Sequence, residues 1–325
     1  MARRSSGVSF SRLRGLIDSS LCEHPEFARD LPIAGRIRHC GAGLFHDNYV
    51  FEVGKRMLVL RLAKHGRAIR TKEEAVVSLE REAQTLQSVE QSSFPYPAPH
   101  LVSLVADESG ATAGLIESCV EGAPLSMLPS FIEQERTLAA IADAAAAVHR
   151  LPPEKFGHLS PSADSQAHVR ELLEQLLHDI IAGHPAAAAA IEWIECHLPA
   201  GRPAVVLHGD LLPQNIFHDP FVDHDATISV IDWESARIGD PAYDLAIVTR
   251  GKRRPLRIPQ ALQKLVALYN DAAGTSLQVA AVRVHELLLH LAWLCEAAQQ
   301  EKAGCLEGHG PQLYEDQIHA VLRQL

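Results

Sequence analysis

The segment VVLHGDLLPQNIF, residues 205–217, sets a histidine, a glycine and an aspartate directly behind a short β-branched run, with Asn215 five positions past Asp210. A second carboxylate, Asp232, closes the run ISVID, 22 residues after Asp210. Side-chain oxygens of these types suit phosphoryl transfer. That reaction needs positioning and charge neutralisation more than covalent help: a divalent ion bridges phosphate oxygens, and a carboxylate orients the acceptor hydroxyl and takes its proton. Magnesium takes oxygen ligands, typically one or two carboxylates with phosphate oxygens and water. Asp210 fits the base, and Asn215 with Asp232 fits the metal. An amide beside a carboxylate also limits negative charge where an anionic nucleotide must approach.

A tight turn containing Pro213 can bring Asp210 and Asn215 to one side, and two hydrogen-bonded strands flanking the loop would place Asp232 close by. A nucleotide also needs a loop whose backbone can approach phosphates. GAGLFHDNYVFEV (41–53) supplies Gly41 and Gly43 before a strand, and Asn48 in that strand is assigned to the same nucleotide-binding set. The next strand should carry a cation for the phosphates, paired with a glutamate on the following helix. Arg61 in LVLRLA and Glu82 in LEREAQTL fit. Lys64 competes with Arg61, but three residues further along a strand its side chain points to the opposite face. The alternative for Arg61 and Glu82 is a surface pair that merely faces water. The base should lie against Ile116, Ser118 and Cys119, where the strand TAGLIESCV ends.

Other constellations fail. HELLLH (285–290) separates its histidines by five positions, about 140° around a helix of roughly 3.6 residues per turn, so they cannot share the face that a zinc-protease motif requires. The sequence contains neither a G-x-x-x-x-G-K-[ST] loop nor a G-x-S-x-G elbow. Six cysteines (22, 40, 119, 196, 295, 305) include no C-x-x-C pair, and reduced, mostly buried thiols are expected. The run RGKRRPLR (250–257) reads as a solvated loop between helices.

These residues must be carried by elements whose style changes near position 120. Before it, 48–53 and 56–63 form a hairpin by their period-two alternation, TKEEAVVSLEREAQTLQSVEQ (71–91) is an amphipathic helix with a capping threonine, and HLVSLVAD and TAGLIESCV add strands. After it, 131–150, 164–183, 186–197, 258–272, 277–300 and 311–324 carry apolar residues at helical spacing, and only 204–208, 215–218 and 226–232 look extended. Alanine runs occupy 142–147 and 186–190.

The formal net charge is −10. Residues 1–119 hold 15 basic against 14 acidic side chains, whereas 120–325 hold 15 against 26. The second part therefore leans toward a cationic partner, and nucleic acid is not expected. The first residues lack the apolar core of a signal peptide, and no apolar stretch reaches membrane-spanning length, so a cytoplasmic protein without a membrane partner is expected.

HGDLLPQN followed by VIDWESARIGDPAYDLA resembles the aminoglycoside phosphotransferase and choline kinase family, small-molecule relatives of the protein kinases, over about residues 35–300. The resemblance implies an α+β, bilobal, protein-kinase-like fold: a nucleotide-binding lobe (1–119) built on a small antiparallel sheet with one main helix, and a mostly helical lobe (120–325) with the catalytic loop and acceptor site. It implies ATP and Mg2+ as cofactors, Asp210 as catalytic base, and Asn215 and Asp232 as metal ligands. His208 would support the loop structurally, while Asp240 and Asp244 would brace it and start the next helix. The substrate class is a small hydroxyl compound, with a cationic aminoglycoside, amino alcohol or amino sugar favoured by the charge of the second lobe. The chain would act as a monomer or homodimer. A nucleotide-binding pseudokinase or regulatory module is the alternative. Only seven residues separate Asp232 from Asp240, too few for the peptide-docking segment of a protein kinase.

Overall fold

The computed structural model describes residues 9–42, 46–64, 72–125, 131–180, 184–218, 228–249, 260–304 and 309–325. The chain forms two compact units, Met1–Gln91 with Pro97–Glu121 and Ser92–Tyr96 with Gly122–Leu325.

The first unit opens with α1 (Phe10–Leu21), capped by Ser9, whose Oγ accepts the Arg12 N–H at 3.3 Å. Leu13, Ile17 and Leu21 recur every four residues and are buried. The sequence reading assigned no helix here. Three buried positions four residues apart make a thin stripe, and such a helix owes its stability to the surface it covers. That surface is a five-stranded antiparallel sheet of order β1-β2-β3-β5-β4, formed by β1 (Arg38–Ala42), β2 (His46–Val53), β3 (Arg56–Ala63), β4 (Leu101–Ala106) and β5 (Thr112–Ser118). The β2–β3 hairpin closes through Gly54 and Lys55, with Gly54 at φ 61° as the turn demands.

Alternation gives the sheet two distinct faces. Tyr49, Phe51, Val53, Leu58, Leu60, Leu62 and Ile116 join the α1 leucines and isoleucine in one core. One residue out of phase, Asn48, Arg61 and Leu115 stand in register across β2, β3 and β5. On this second face α2 (Lys72–Glu90) packs Ala75 and Leu79 against Ala63 and Leu115. Glu73 and Glu74 occupy the first turn of α2, where the helix dipole favours them; the expected cap, Thr71, lies outside the described residues. The expected glycine loop is corrected in part: Gly41 sits inside β1, opposite Asn48 and just past a bulge after His39, and Gly43 lies outside the described residues.

In the second unit β6 (Ala123–Pro124) precedes α3 (Phe131–His149), α4 (Ser165–Ile180) and α5 (Pro185–Cys196). Short strands follow: β7 (Val205–Leu207), β8 (Ile216–His218), β9 (Ile228–Val230) and β10 (Arg237–Gly239). Four helices complete it, α6 (Ala242–Ile247), α7 (Ala261–Ala273), α8 (Val279–Lys302) and α9 (Pro311–Leu322). The strands form two small sheets, β6-β8-β9 and β10-β7, both antiparallel. The partner of β7 was not anticipated, because RIG is too short to display alternation.

The alanine runs are packing devices. Ala186, Ala187 and Ala190 of α5 lie in a core with Val169 and Leu173 of α4, Leu287, Leu288 and Leu291 of α8 and Ile318 and Val321 of α9. Side chains this small let helix axes approach closely. In α3, Ala142 and Ala144 to Ala147 are likewise buried.

The thiol expectation is corrected: Cys22, Cys40, Cys119 and Cys196 are exposed and Cys295 is buried, all five being free, because four of them sit at element ends or on open strand faces. The basic run 250–257 lies outside the described residues. Among the described residues no helix is long and apolar enough to cross a membrane.

Candidate active site

β7 delivers the chain into His208, Gly209 and Asp210, and the loop then folds back on itself. Leu212 N donates to the Asp210 carbonyl at 2.7 Å, and Asn215 N donates to the Leu212 carbonyl at 2.8 Å. Leu211, Leu212 and Pro213 are buried, so the turn is anchored by apolar side chains while its polar ends stay available. Asn215 is 5% exposed and donates its side-chain amide to the Asp210 carbonyl at 2.8 Å and to Asp210 Oδ2 at 3.1 Å. With its nitrogen turned toward Asp210, the amide has Oδ1 as the atom that could hold a metal.

Asp232 is brought alongside by strand pairing. Ile216 faces Val230 across β8 and β9, and Ile231 N donates to the Asn215 carbonyl at 2.9 Å. Asp232 then takes a left-handed conformation, φ 72° and ψ 58°, which ends β9 and starts a 3-10 turn at Trp233–Ser235. Aspartate tolerates this region better than most residues.

Gly209 explains the spacing of the motif. At φ 80° it occupies a region that disfavours side chains, and a Cβ there would lie 2.0 Å from the Ser235 carbonyl oxygen. The loop therefore rests directly on the backbone of the Asp232 segment. His208 joins the two again: its ring Nε2 lies 3.0 Å from the Ile231 carbonyl, and Asp210 N donates to its Nδ1 at 3.3 Å. The carbonyl can only accept, so Nε2 carries the proton and Nδ1 the lone pair. The ring also packs at a tilt on Trp233, centroids 4.9 Å apart.

Asp244, fully buried on α6, accepts the backbone N–H groups of His208 at 2.8 Å on Oδ2 and of Gly209 at 2.8 Å on Oδ1. Burial would raise its pKa, but the hydrogen bonds it receives, from the His149 ring first and from the His208 backbone, hold it below the ordinary carboxylate value. Asp240 is tied elsewhere. Its Oδ1 accepts the Ala242 N–H at 3.0 Å at the start of α6, its Oδ2 lies 3.1 Å from His285 Nε2, and its backbone N donates to His168 Nδ1 at 3.0 Å. Burial opposes its ionisation and the neighbouring His285 more than offsets this, leaving the pKa lowered. His168 is pushed down to about 3, by burial first and then by His285 and Arg237. It is thus a neutral acceptor for the Asp240 N–H.

In the first unit, Arg61 Nη1 and Glu82 Oε1 lie 2.8 Å apart, with Arg61 5% exposed and Glu82 fully buried. The pair is interior and not the surface pair considered above. Lys64 instead pairs with Asp47 at 3.3 Å. Asn48 stands directly across the hairpin from Arg61 and across β1 from Gly41, so these three predicted residues share one row of the sheet.

The expected base-binding stretch spans the end of β5. Ile116 is fully buried in the core on the α1 side of the sheet. Ser118 accepts the His100 N–H on its hydroxyl at 2.9 Å, and Cys119 N donates to the Met57 carbonyl at 3.0 Å.

Gly209, His149, His168 and His285 were missed. The H-G-D spacing was a signal for Gly209, whereas the three histidines lie at separations that reveal nothing until the helices pack.

A model of the phosphotransferase enzyme family matches residues 36–278. The chain is 30% identical over 204 residues to the aminoglycoside 3'-phosphotransferase of Streptomyces ribosidificus, covering 59% of this chain and 74% of that one. It is 34% identical over 62 residues to acyl-CoA dehydrogenase family member 10 of Mus musculus, where the match spans 19% of this chain and only 6% of the mouse protein. Among solved structures, a Ralstonia eutropha protein assigned as an aminoglycoside phosphotransferase superposes with a TM-score of 0.69 at 17% identity, covering 94% of this chain and 95% of that one. A macrolide 2'-phosphotransferase type I superposes with a TM-score of 0.64 at 17% identity, covering 96% and 98%. The GDP complex of aminoglycoside 2'-phosphotransferase-IIIa gives 0.66 at 14% identity, covering 98% of both. The kinase-like α+β architecture is therefore shared.

Proposed function

The chain belongs to the phosphotransferase enzyme family and is a small-molecule kinase, and from that premise we propose that it moves the γ-phosphoryl group of ATP to a hydroxyl of a small, cationic acceptor. The observation that carries the residue assignment is the Asn215 amide donating to both the backbone carbonyl and the carboxylate Oδ2 of Asp210. It aims the carboxylate and leaves an amide oxygen for a metal in the same few residues.

Asp210 is the proposed base. As the bond between the acceptor oxygen and phosphorus forms and the bond to the ADP leaving oxygen breaks, the Asp210 carboxylate takes the hydroxyl proton. An all-oxygen set of Asn215 Oδ1 and the Asp232 carboxylate fits a hard divalent cation. These two residues would hold magnesium, which when bound neutralises phosphate charge. Arg61, fixed by Glu82, is assigned to the nucleotide phosphates, since a guanidinium presents paired donors to them.

The acceptor assignment rests on charge: residues 120–325 carry 26 acidic against 15 basic side chains. An aminoglycoside, an amino alcohol and an amino sugar all meet it, and the Streptomyces ribosidificus relative is an aminoglycoside enzyme by name.

The test is ATP consumption by the full chain with magnesium across aminoglycosides, amino alcohols and amino sugars, alongside Asp210→Asn. Acceptor-dependent turnover that the variant loses supports the reading. Equal turnover by Asp210→Asn removes the base assignment, and nucleotide binding with no acceptor-dependent turnover favours the regulatory module.

A further inference from the structure

Behind the catalytic loop lies a chain of three buried side chains drawn from three helices. Tyr269 of α7 is 2% exposed, His149 at the end of α3 is 8% exposed, and Asp244 of α6 is fully buried. The Tyr269 hydroxyl lies 2.9 Å from His149 Nδ1, and His149 Nε2 lies 3.2 Å from Asp244 Oδ2. Asp244 then receives the N–H groups of His208 and Gly209.

The direction of each bond follows from donor and acceptor chemistry. Asp244 already accepts two backbone N–H groups, and its depressed pKa keeps it a carboxylate, so it can only accept from His149. Nε2 must carry a proton. A neutral ring then presents a lone pair at Nδ1, and Tyr269 is placed to fill it. Burial, followed by the charges of Asp244 and Asp240, raises the phenol pKa, so the hydroxyl keeps its proton to donate. Nearby, Arg150 Nη1, just past α3, donates to the Ala272 carbonyl of α7 at 2.9 Å.

Building on the phosphotransferase reading, we propose that Tyr269 and His149 are positioning residues that aim Asp210, acting through Asp244 on the backbone of His208 and Gly209. Neither touches the reacting atoms. Without the hydroxyl, Nδ1 becomes a buried acceptor with an unmet bond. The ring then relieves itself by turning or changing tautomer, and the His149 to Asp244 contact, the longest link in the chain, weakens first.

The test uses the full chain with Tyr269→Phe, His149→Gln and His149→Ala. Glutamine keeps an N–H donor near the Nε2 position, and alanine does not. Amide hydrogen exchange at His208 and Gly209 reports the relay without any substrate, and imidazole 15N shifts report the His149 tautomer. Tyr269→Phe should speed exchange at these two amides and shift the His149 nitrogens. With an accepted substrate, kcat should fall about tenfold, the rate equivalent of one hydrogen bond, while the nucleotide KM holds. His149→Gln should retain more kcat than His149→Ala. Unchanged exchange, 15N shifts and kcat in Tyr269→Phe would overturn the proposal, as would equal losses in the glutamine and alanine variants. A wild-type chain that turns over no acceptor would remove the phosphotransferase reading, and the exchange and 15N arms would still decide the relay.

Discussion

Asn215 donates one side-chain amide to two oxygens of Asp210, the carbonyl at 2.8 Å and the carboxylate Oδ2 at 3.1 Å. A five-residue spacing becomes a fixed distance by this means, and the rotamer of Asp210 is set by a group that is itself 5% exposed. Asp210→Asn removes the proton acceptor but keeps the shape. Its kcat should fall by about 10²- to 10⁴-fold with nucleotide affinity largely retained, as read from steady-state kinetics and a nucleotide-binding titration.

Gly209→Ala meets two obstacles together. The residue sits at φ 80°, and the new Cβ would lie 2.0 Å from the Ser235 carbonyl oxygen, a backbone atom that cannot turn aside. A loss of about 2 kcal/mol or more is expected from denaturant unfolding, with turnover reduced in whatever still folds. A variant as stable and active as the wild type would show that the loop does not rest on Ser235.

Arg61→Ala would leave Glu82 buried without its guanidinium partner. Breaking a buried pair from one side costs about 3–5 kcal/mol, so thermal or denaturant unfolding should shift markedly. Arg61→Lys restores charge without the planar fork, and its effect should fall mainly on the nucleotide KM. If Arg61→Ala left both stability and nucleotide KM unchanged, the pair would have no part in either.

Stability should also depend on pH through His168. Its folded pKa, about 3, lies below the ordinary 6.5, so between these values the unfolded chain binds the extra proton. Stability contributed by the neutral ring is complete above pH 6.5 and is lost as pH falls toward 3, at a slope near 1.4 kcal/mol per pH unit. His168→Asn keeps an acceptor for the Asp240 N–H and should flatten this slope. Asp240 and Asp244, both lowered, contribute stability present above their unfolded value that is lost as pH drops through the folded one, so acid unfolding persists below pH 3.8 in the variant.

Side-chain type and spacing made the chemistry readable before any fold was known. Oxygen donors at 210, 215 and 232 suit phosphates and a hard cation, and alternation along 48–63 marked a hairpin whose two faces the sheet then displays. These features are local, and period and spacing are properties of the chain alone. What stayed hidden depends on distance in sequence. β7 and β10 are three residues each and find one another only once the intervening loop has folded back. His149 and Tyr269 are 120 positions apart, and Asp240 meets His285 from two different helices' surroundings. The partners of the 116–119 stretch are of the same kind: the His100 N–H on the Ser118 hydroxyl and the Met57 carbonyl for the Cys119 N–H. Composition and spacing put forward candidate groups because chemistry lies in the atoms. Their aim and protonation are settled by packing, which desolvates each group and chooses its hydrogen-bond partner.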